Sequence, residues 1–204
     1  MKKLFLTSSF ADVAKFLPGF TNEECSSKTV TFIPTASTVE KVNFFVGSAR
    51  KAFKKLGLTI DELDIANASK EEIVTKLSNN DYIYISGGNT FYLLQELKRT
   101  GADRVITDQI NSGKIYIGES AGSMVLSPNI EYVKQMDDCT KAPELKSNDA
   151  LAIVEFYPLP HHTNFPFKKI VEKILKEYET KLDLRPMNNK QALAVCGDQI
   201  ELIE

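Results

Sequence analysis

Ser120 stands at the centre of "YIGESAGSM", a G-x-S-x-G pattern in which Gly118 and Gly122 flank a serine that directly follows the apolar Tyr116 and Ile117. On a strand-to-helix turn such a serine is pushed out of a sheet with its hydroxyl exposed. The N–H groups of the following helix then point at any negative charge that develops beside it. This is the equipment of a nucleophile in acyl transfer, although the same serine would also serve as an ordinary helix N-cap. A hydroxyl is a weak nucleophile until a base takes its proton. The chain has only two imidazoles, His161 and His162, adjacent after Pro160. A second glycine turn, Gly87-Gly88 before Asn89, follows another apolar run and offers backbone N–H groups to an oxyanion. It also reads as a phosphate-binding or merely tight turn, but "SGGNTF" lacks the G-x-G-x-x-G spacing of dinucleotide sites.

The surrounding pattern alternates between two periods. "KKLFLTSS", "TVTFIPTA", "LTIDELDI", "DYIYISGG" and "KIYIGES" read as strands. Between them, Val39, Val42, Val46, Ala49, Phe53 and Leu56 recur at helical spacing before Gly57, a C-terminal cap. "SKEEIVTKLSNN" opens with the capping box Ser69 to Glu72, and "NTFYLLQELKRTG" and "ADRVITDQINSG" read as two further helices. Alternation of this kind implies a doubly wound α/β fold, a mostly parallel sheet with helices on both faces. Ligands of such sheets bind beyond the carboxyl ends of the strands, where both glycine turns fall. From residue 128 onward the chain turns polar and proline-rich around one strand candidate, "ALAIVEFY". "KKIVEKILKEYETK" then gives an amphipathic helix and "QALAVCGDQIELIE" a closing hairpin.

Composition excludes several partners. The chain has 204 residues with 43% hydrophobic content, which suits one domain over residues 1–204. A net charge of −2 gives no basic surface for nucleic acid or an anionic membrane. The three cysteines, Cys25, Cys139 and Cys196, lack disulfide or zinc spacing, so neither a metal nor another cofactor is expected. The start "MKKLFLTSSFADVAKFL" is interrupted by Asp12 and Lys15, unlike a signal peptide, and no segment is long enough to span a membrane. A cytoplasmic location is expected. Assembly into a homo-oligomer stays open.

"SGGNTF", "GESAGSM" and "LPHHTN", in this order and at these separations, resemble the peptidase E family of serine peptidases and its cyanophycinase relatives. The resemblance runs from "FLTSSF" to the final hairpin and implies a fold related to class I glutamine amidotransferases, with serine in place of their cysteine. It makes Ser120 the nucleophile, His161 the base and His162 its neighbour. The N–H groups of Gly88 and Ala121 form the oxyanion hole, and Asn89 and His162 border the substrate. For the third relay member the resemblance points to two regions, "QMDDCTKAP" with Asp137 and Asp138, and "NNKQA" with Asn189. A carboxylate stabilises an imidazolium better than an amide does, so Asp137 or Asp138 is favoured.

Members of the family that demand an N-terminal aspartate share a glycine- and arginine-containing segment after the histidine. Here "HHTNFPF" runs straight into Lys168 and Lys169. Lysine offers a point charge and not a bidentate fork, so weak or no preference for an N-terminal aspartate is expected. The expectation is a metal-independent serine peptidase acting on small peptides. An esterase with a similar serine turn and a non-catalytic small-molecule-binding protein are the alternatives.

Overall fold

Runs of apolar residues too short for a helix and lacking polar alternation fit strands covered on both faces. The computed structural model, which describes residues 1–204, places such runs at the centre of one sheet. In chain order its elements are β1 (Lys3–Thr7), α1 (Phe10–Val13), α2 (Leu17–Thr21), β2 (Thr29–Ile33), α3 (Phe44–Lys55), β3 (Thr59–Glu62), α4 (Lys70–Asn79), β4 (Tyr82–Ile85), α5 (Thr90–Thr100), α6 (Ala102–Asn111), β5 (Ile115–Glu119) and α7 (Ala121–Met124). They are followed by β6 (Tyr157–Leu159), α8 (Lys168–Tyr178), β7 (Leu184–Pro186), β8 (Ala192–Cys196) and β9 (Gln199–Ile203).

The main sheet has the order β3-β2-β4-β5-β1-β8-β9. Strands β3, β2, β4, β5 and β1 are mutually parallel, whereas β8 and β9 close the sheet antiparallel. This is the expected doubly wound, mostly parallel α/β architecture. Every residue of β4 and β5 is buried. Leu4, Leu6, Ile83, Ile85 and Tyr116 pack on one face with residues of α4 to α8, and Phe5, Phe32, Tyr84 and Ile117 on the other with α1 to α3. Phe53 of α3 anchors that second face, stacked on Phe10 at 4.2 Å and edge-on to Tyr84 at 5.0 Å. Full burial of such a ring stabilises the fold by about 1.5–3 kcal/mol.

Helix ends follow local chemistry. Ser69 accepts the Glu72 N–H at 3.1 Å to start α4. At the end of α3, Gly57 takes φ +82°, while Leu58 N–H reaches the Phe53 carbonyl and Gly57 N–H the Lys54 carbonyl, both at 3.1 Å. That is a Schellman cap. The α3 helix begins at Phe44, later than its apolar spacing predicts. Residues 35–37 form a 3₁₀ turn after β2, so Val39 and Val42 lie in the loop before the helix.

"ALAIVEFY" is not a strand over most of its length. Ala152 takes φ +50°, and the N–H groups of Leu151, Ala152, Ile153 and Val154 go to the carbonyls of Val125, Leu126 and Ser127. Ile153, Val154 and Phe156 still enter the core, which gives the segment its strand-like composition. Only Tyr157–Leu159 is extended, and it pairs in parallel with Leu184–Pro186 in a small second sheet. The closing hairpin forms as expected, with Cys196 opposite Gln199 across Gly197 and Asp198.

Candidate active site

The register of the sheet brings three strand ends to one edge. Gly118 of β5 pairs with Leu6 of β1 and with Ile85 of β4. The chain leaves this edge through Ser120, whose φ of +48° and ψ of −105° are a strained conformation for a residue with a side chain. Its N–H is fixed to the Thr7 carbonyl at 2.9 Å, and its own carbonyl accepts from Ser123 and Met124 to start α7. The flanking glycines are demanded by contact. A Cβ on Gly122 would lie 2.2 Å from the Ile85 carbonyl oxygen, and one on Gly118 2.7 Å from that of Gly122. The Ser120 hydroxyl does not cap the helix. It lies 2.9 Å from His161 Nε2.

His161 reaches the serine from the end of the small sheet. Pairing of Leu159 with Pro186 aligns the two segments that follow these strands. The Met187 N–H donates to the Leu159 carbonyl and the His162 N–H to the Met187 carbonyl, each at 3.0 Å. Ser8, at the end of β1, locks the turn by accepting the His161 N–H at 3.0 Å and donating to the Met187 carbonyl at 2.9 Å. Asn189 is thereby carried to His161, with its Oδ1 3.0 Å from Nδ1. An amide oxygen there accepts the Nδ1 proton and leaves the Nε2 lone pair facing Ser120. Phe167 stacks on the imidazole at 4.7 Å. Burial holds the His161 pKa below the ordinary histidine range, and the Asn189 hydrogen bond opposes that shift. The ring is therefore neutral, as a base must be, at neutral pH.

The Gly87-Gly88 turn lies beside Ser120, where a Cβ built on Gly87 would be 3.3 Å from Ser120 Cβ. Gly88 follows β4 with φ +136°, and a Cβ there would sit 2.1 Å from the Ala36 carbonyl oxygen. The Gly88 N–H has no acceptor within the protein. Ala121 opens α7, and the first N–H groups of a helix have no intrahelical partner. Beneath this loop Glu119 is buried. Its carboxylate accepts the Phe10 N–H at 2.9 Å and the Tyr84 hydroxyl. Burial pushes its pKa up to about 7 against these donors. Glu119 thus ties the start of α1 and the end of β4 to the strand that leads into Ser120, a role its place inside the serine motif conceals.

Several expected site residues are engaged elsewhere. Asp137 accepts the Thr90 N–H at 2.9 Å and the Thr90 hydroxyl at 2.5 Å, so it sits at the amino end of α5, where a negative charge is favoured. Burial raises its pKa to about 6. Asp138 is exposed and accepts from Thr140 at 2.7 Å. The His161 Nδ1 position is taken by Asn189, so the preference for an aspartate does not fit the geometry. Asn89 is buried as the N-cap of α5, accepting from Tyr92 at 2.9 Å and donating to the Asp138 carbonyl at 3.0 Å. It has no face left for substrate. His162 is half-buried, and Lys168 and Lys169 are exposed at the start of α8 without an ion pair. No group of three or more His, Cys, Asp or Glu side chains is placed to hold a metal ion.

The fold and this site define a serine-type peptidase. The model of Peptidase family S51 matches residues 4–203, and the chain belongs to that family. An uncharacterized peptidase of Listeria monocytogenes is 54% identical over 202 residues, covering 98% of this chain and 97% of that protein. Another, from Pasteurella multocida, is 54% identical over 198 residues, covering 97% of this chain and 95% of its own length. Peptidase E of Nostoc sp. is 30% identical over 169 residues, 80% of this chain and 66% of that protein. Among solved structures, a candidate peptidase E from Listeria monocytogenes superposes with a TM-score of 0.96 at 52% identity, covering 100% of this chain and 98% of its own. A peptidase from an acI-B1 Actinobacterium gives 0.74 at 26% identity, covering 100% of this chain and 87% of its own.

Proposed function

We propose that the protein hydrolyses small peptides through an acyl-enzyme on Ser120. The observation that carries this reading is the continuous chain from the Ser120 hydroxyl to His161 Nε2 at 2.9 Å and from Nδ1 to Asn189 at 3.0 Å. Ser120 Oγ attacks the scissile carbonyl while His161 takes its proton. The tetrahedral oxyanion is met by the N–H groups of Gly88 and Ala121. His161 then returns the proton to the leaving amine, and water repeats the sequence on the ester. Asn189 keeps the imidazole in the reactive tautomer but, being neutral, compensates little of the imidazolium charge. No helix is long and apolar enough to cross a membrane, and all three cysteines are free, which supports a cytoplasmic setting.

The role of Asn189 gives the reading a test. With dipeptide substrates, kcat/KM rises with pH as His161 loses its proton, with an inflection below the ordinary histidine value of about 6.5. Asn189→Asp places a carboxylate on Nδ1, favours the imidazolium and moves that inflection upward by about 1 unit or more. Asn189→Ala lowers the rate and moves it down. An inflection indifferent to both substitutions contradicts the relay, as does hydrolysis that survives in a Ser120→Ala control.

A further inference from the structure

We propose that the site takes peptides with large apolar side chains on both sides of the scissile bond, the acyl-side residue against Phe44 and Phe45 and the leaving-side residue against Phe165. This rests on the serine–histidine reading above. On the nucleophile side, a Cβ built on Gly87 would lie 3.3 Å from Ser120 Cβ and 3.5 Å from the Phe45 ring. The ring edge and the nucleophile therefore border the same glycine. Phe44 meets Phe45 edge-on at 6.1 Å and is 76% exposed. Just before it, Val42 is 61% exposed.

On the histidine side, Phe167 stacks on the His161 ring. Two residues earlier Phe165 is 95% exposed, next to Asn164, whose side chain accepts the Asn189 N–H at 2.9 Å. Exposed rings in the two segments that border the serine and the histidine supply apolar surface for a ligand to cover. The division between them follows from the chemistry. Phe44 and Phe45 accompany the Gly87-Gly88 turn that receives the acyl oxygen, whereas Phe165 accompanies the histidine that hands its proton to the leaving amine.

Three of the four arginines, which could fork a carboxylate side chain, are paired elsewhere, and the unpaired Lys168 and Lys169 offer only exposed point charges. Arg50 pairs with Glu62 and lies over the Phe32 ring. Arg99 pairs with Glu96, Arg185 with Asp183 and Lys141 with Glu40. Arg104, the remaining arginine, belongs to α6.

Calorimetric binding to the Ser120→Ala protein tests this without relying on turnover. Leu-Leu is expected to bind about tenfold tighter than Leu-Ala or Ala-Leu, and each of these more tightly than Ala-Ala or Asp-Ala. Added to Ser120→Ala, Phe44→Ala erases the advantage of leucine at the first position, and Phe165→Ala that at the second. Tighter binding of Asp-Ala than of Leu-Ala overturns the proposal. So do leucine-to-alanine ratios untouched by both phenylalanine substitutions, including the case in which these change only the oligomeric state in sedimentation. If the apolar preference holds while the unmodified protein cleaves none of these peptides, the catalytic reading fails and only the two apolar subsites remain.

Discussion

Ser120→Ala and His161→Ala each lower kcat for peptide hydrolysis by about a thousandfold or more, and the double variant is hardly worse than either alone. The equality follows from the 2.9 Å contact between the two side chains. The serine is a nucleophile only while the imidazole accepts its proton, and without the serine no acyl-enzyme forms for the imidazole to act on. His162→Ala costs far less, because the structure uses the His162 backbone N–H, bonded to Met187, and gives its ring no hydrogen bond. Steady-state kinetics on one good dipeptide substrate measures all four proteins. Small, equal losses from the two histidine variants would remove His161 from the mechanism.

Gly88→Ala lowers kcat by about a hundredfold or more, the loss expected when an oxyanion donor is displaced. The added methyl would sit 2.1 Å from the Ala36 carbonyl oxygen, on a backbone with φ of +136° that disfavours any side chain. The turn must shift, and the Gly88 N–H leaves the position that the proposed mechanism gives it. The same shift strains the Asn89 N–H bond to Ala36, now 2.8 Å, and with it the cap of α5. Thermal unfolding therefore records a lower Tm beside the kinetic loss. A variant with unchanged kcat would show that Gly88 donates nothing to the transition state.

The sheet was legible because "YIYI" and "IYIGE" are buried at every position and leave apolar runs without alternation. The serine was legible because its neighbours are fixed by contact, and the histidine because the chain has only two imidazoles. Gly118 and Gly122 can be nothing larger, and that constraint appears in the sequence as a motif. Asn189 was harder to place. Its approach to His161 depends on the parallel pairing of "YPL" with "LRP", strands of three residues that each contain proline. Proline lacks the N–H a ladder needs, so such segments carry little strand signal. Asp137 attracted notice as a carboxylate in the right region, but its hydrogen bonds to Thr90 show that burial and helix capping use the same residue type as catalysis does. Glu119 and Ser8 had no distinguishing spacing. Their roles come from what folding packs around them.

The relay itself is tested most directly by treating the folded protein with a fluorophosphonate and mapping the adduct by peptide mass spectrometry. Only a serine held beside a base and oxyanion donors reacts quickly with such a probe. The expected result is modification confined to Ser120, slowed by about a hundredfold or more in His161→Ala. Folded protein without an adduct on Ser120, or labelling at the same rate in His161→Ala, would contradict it.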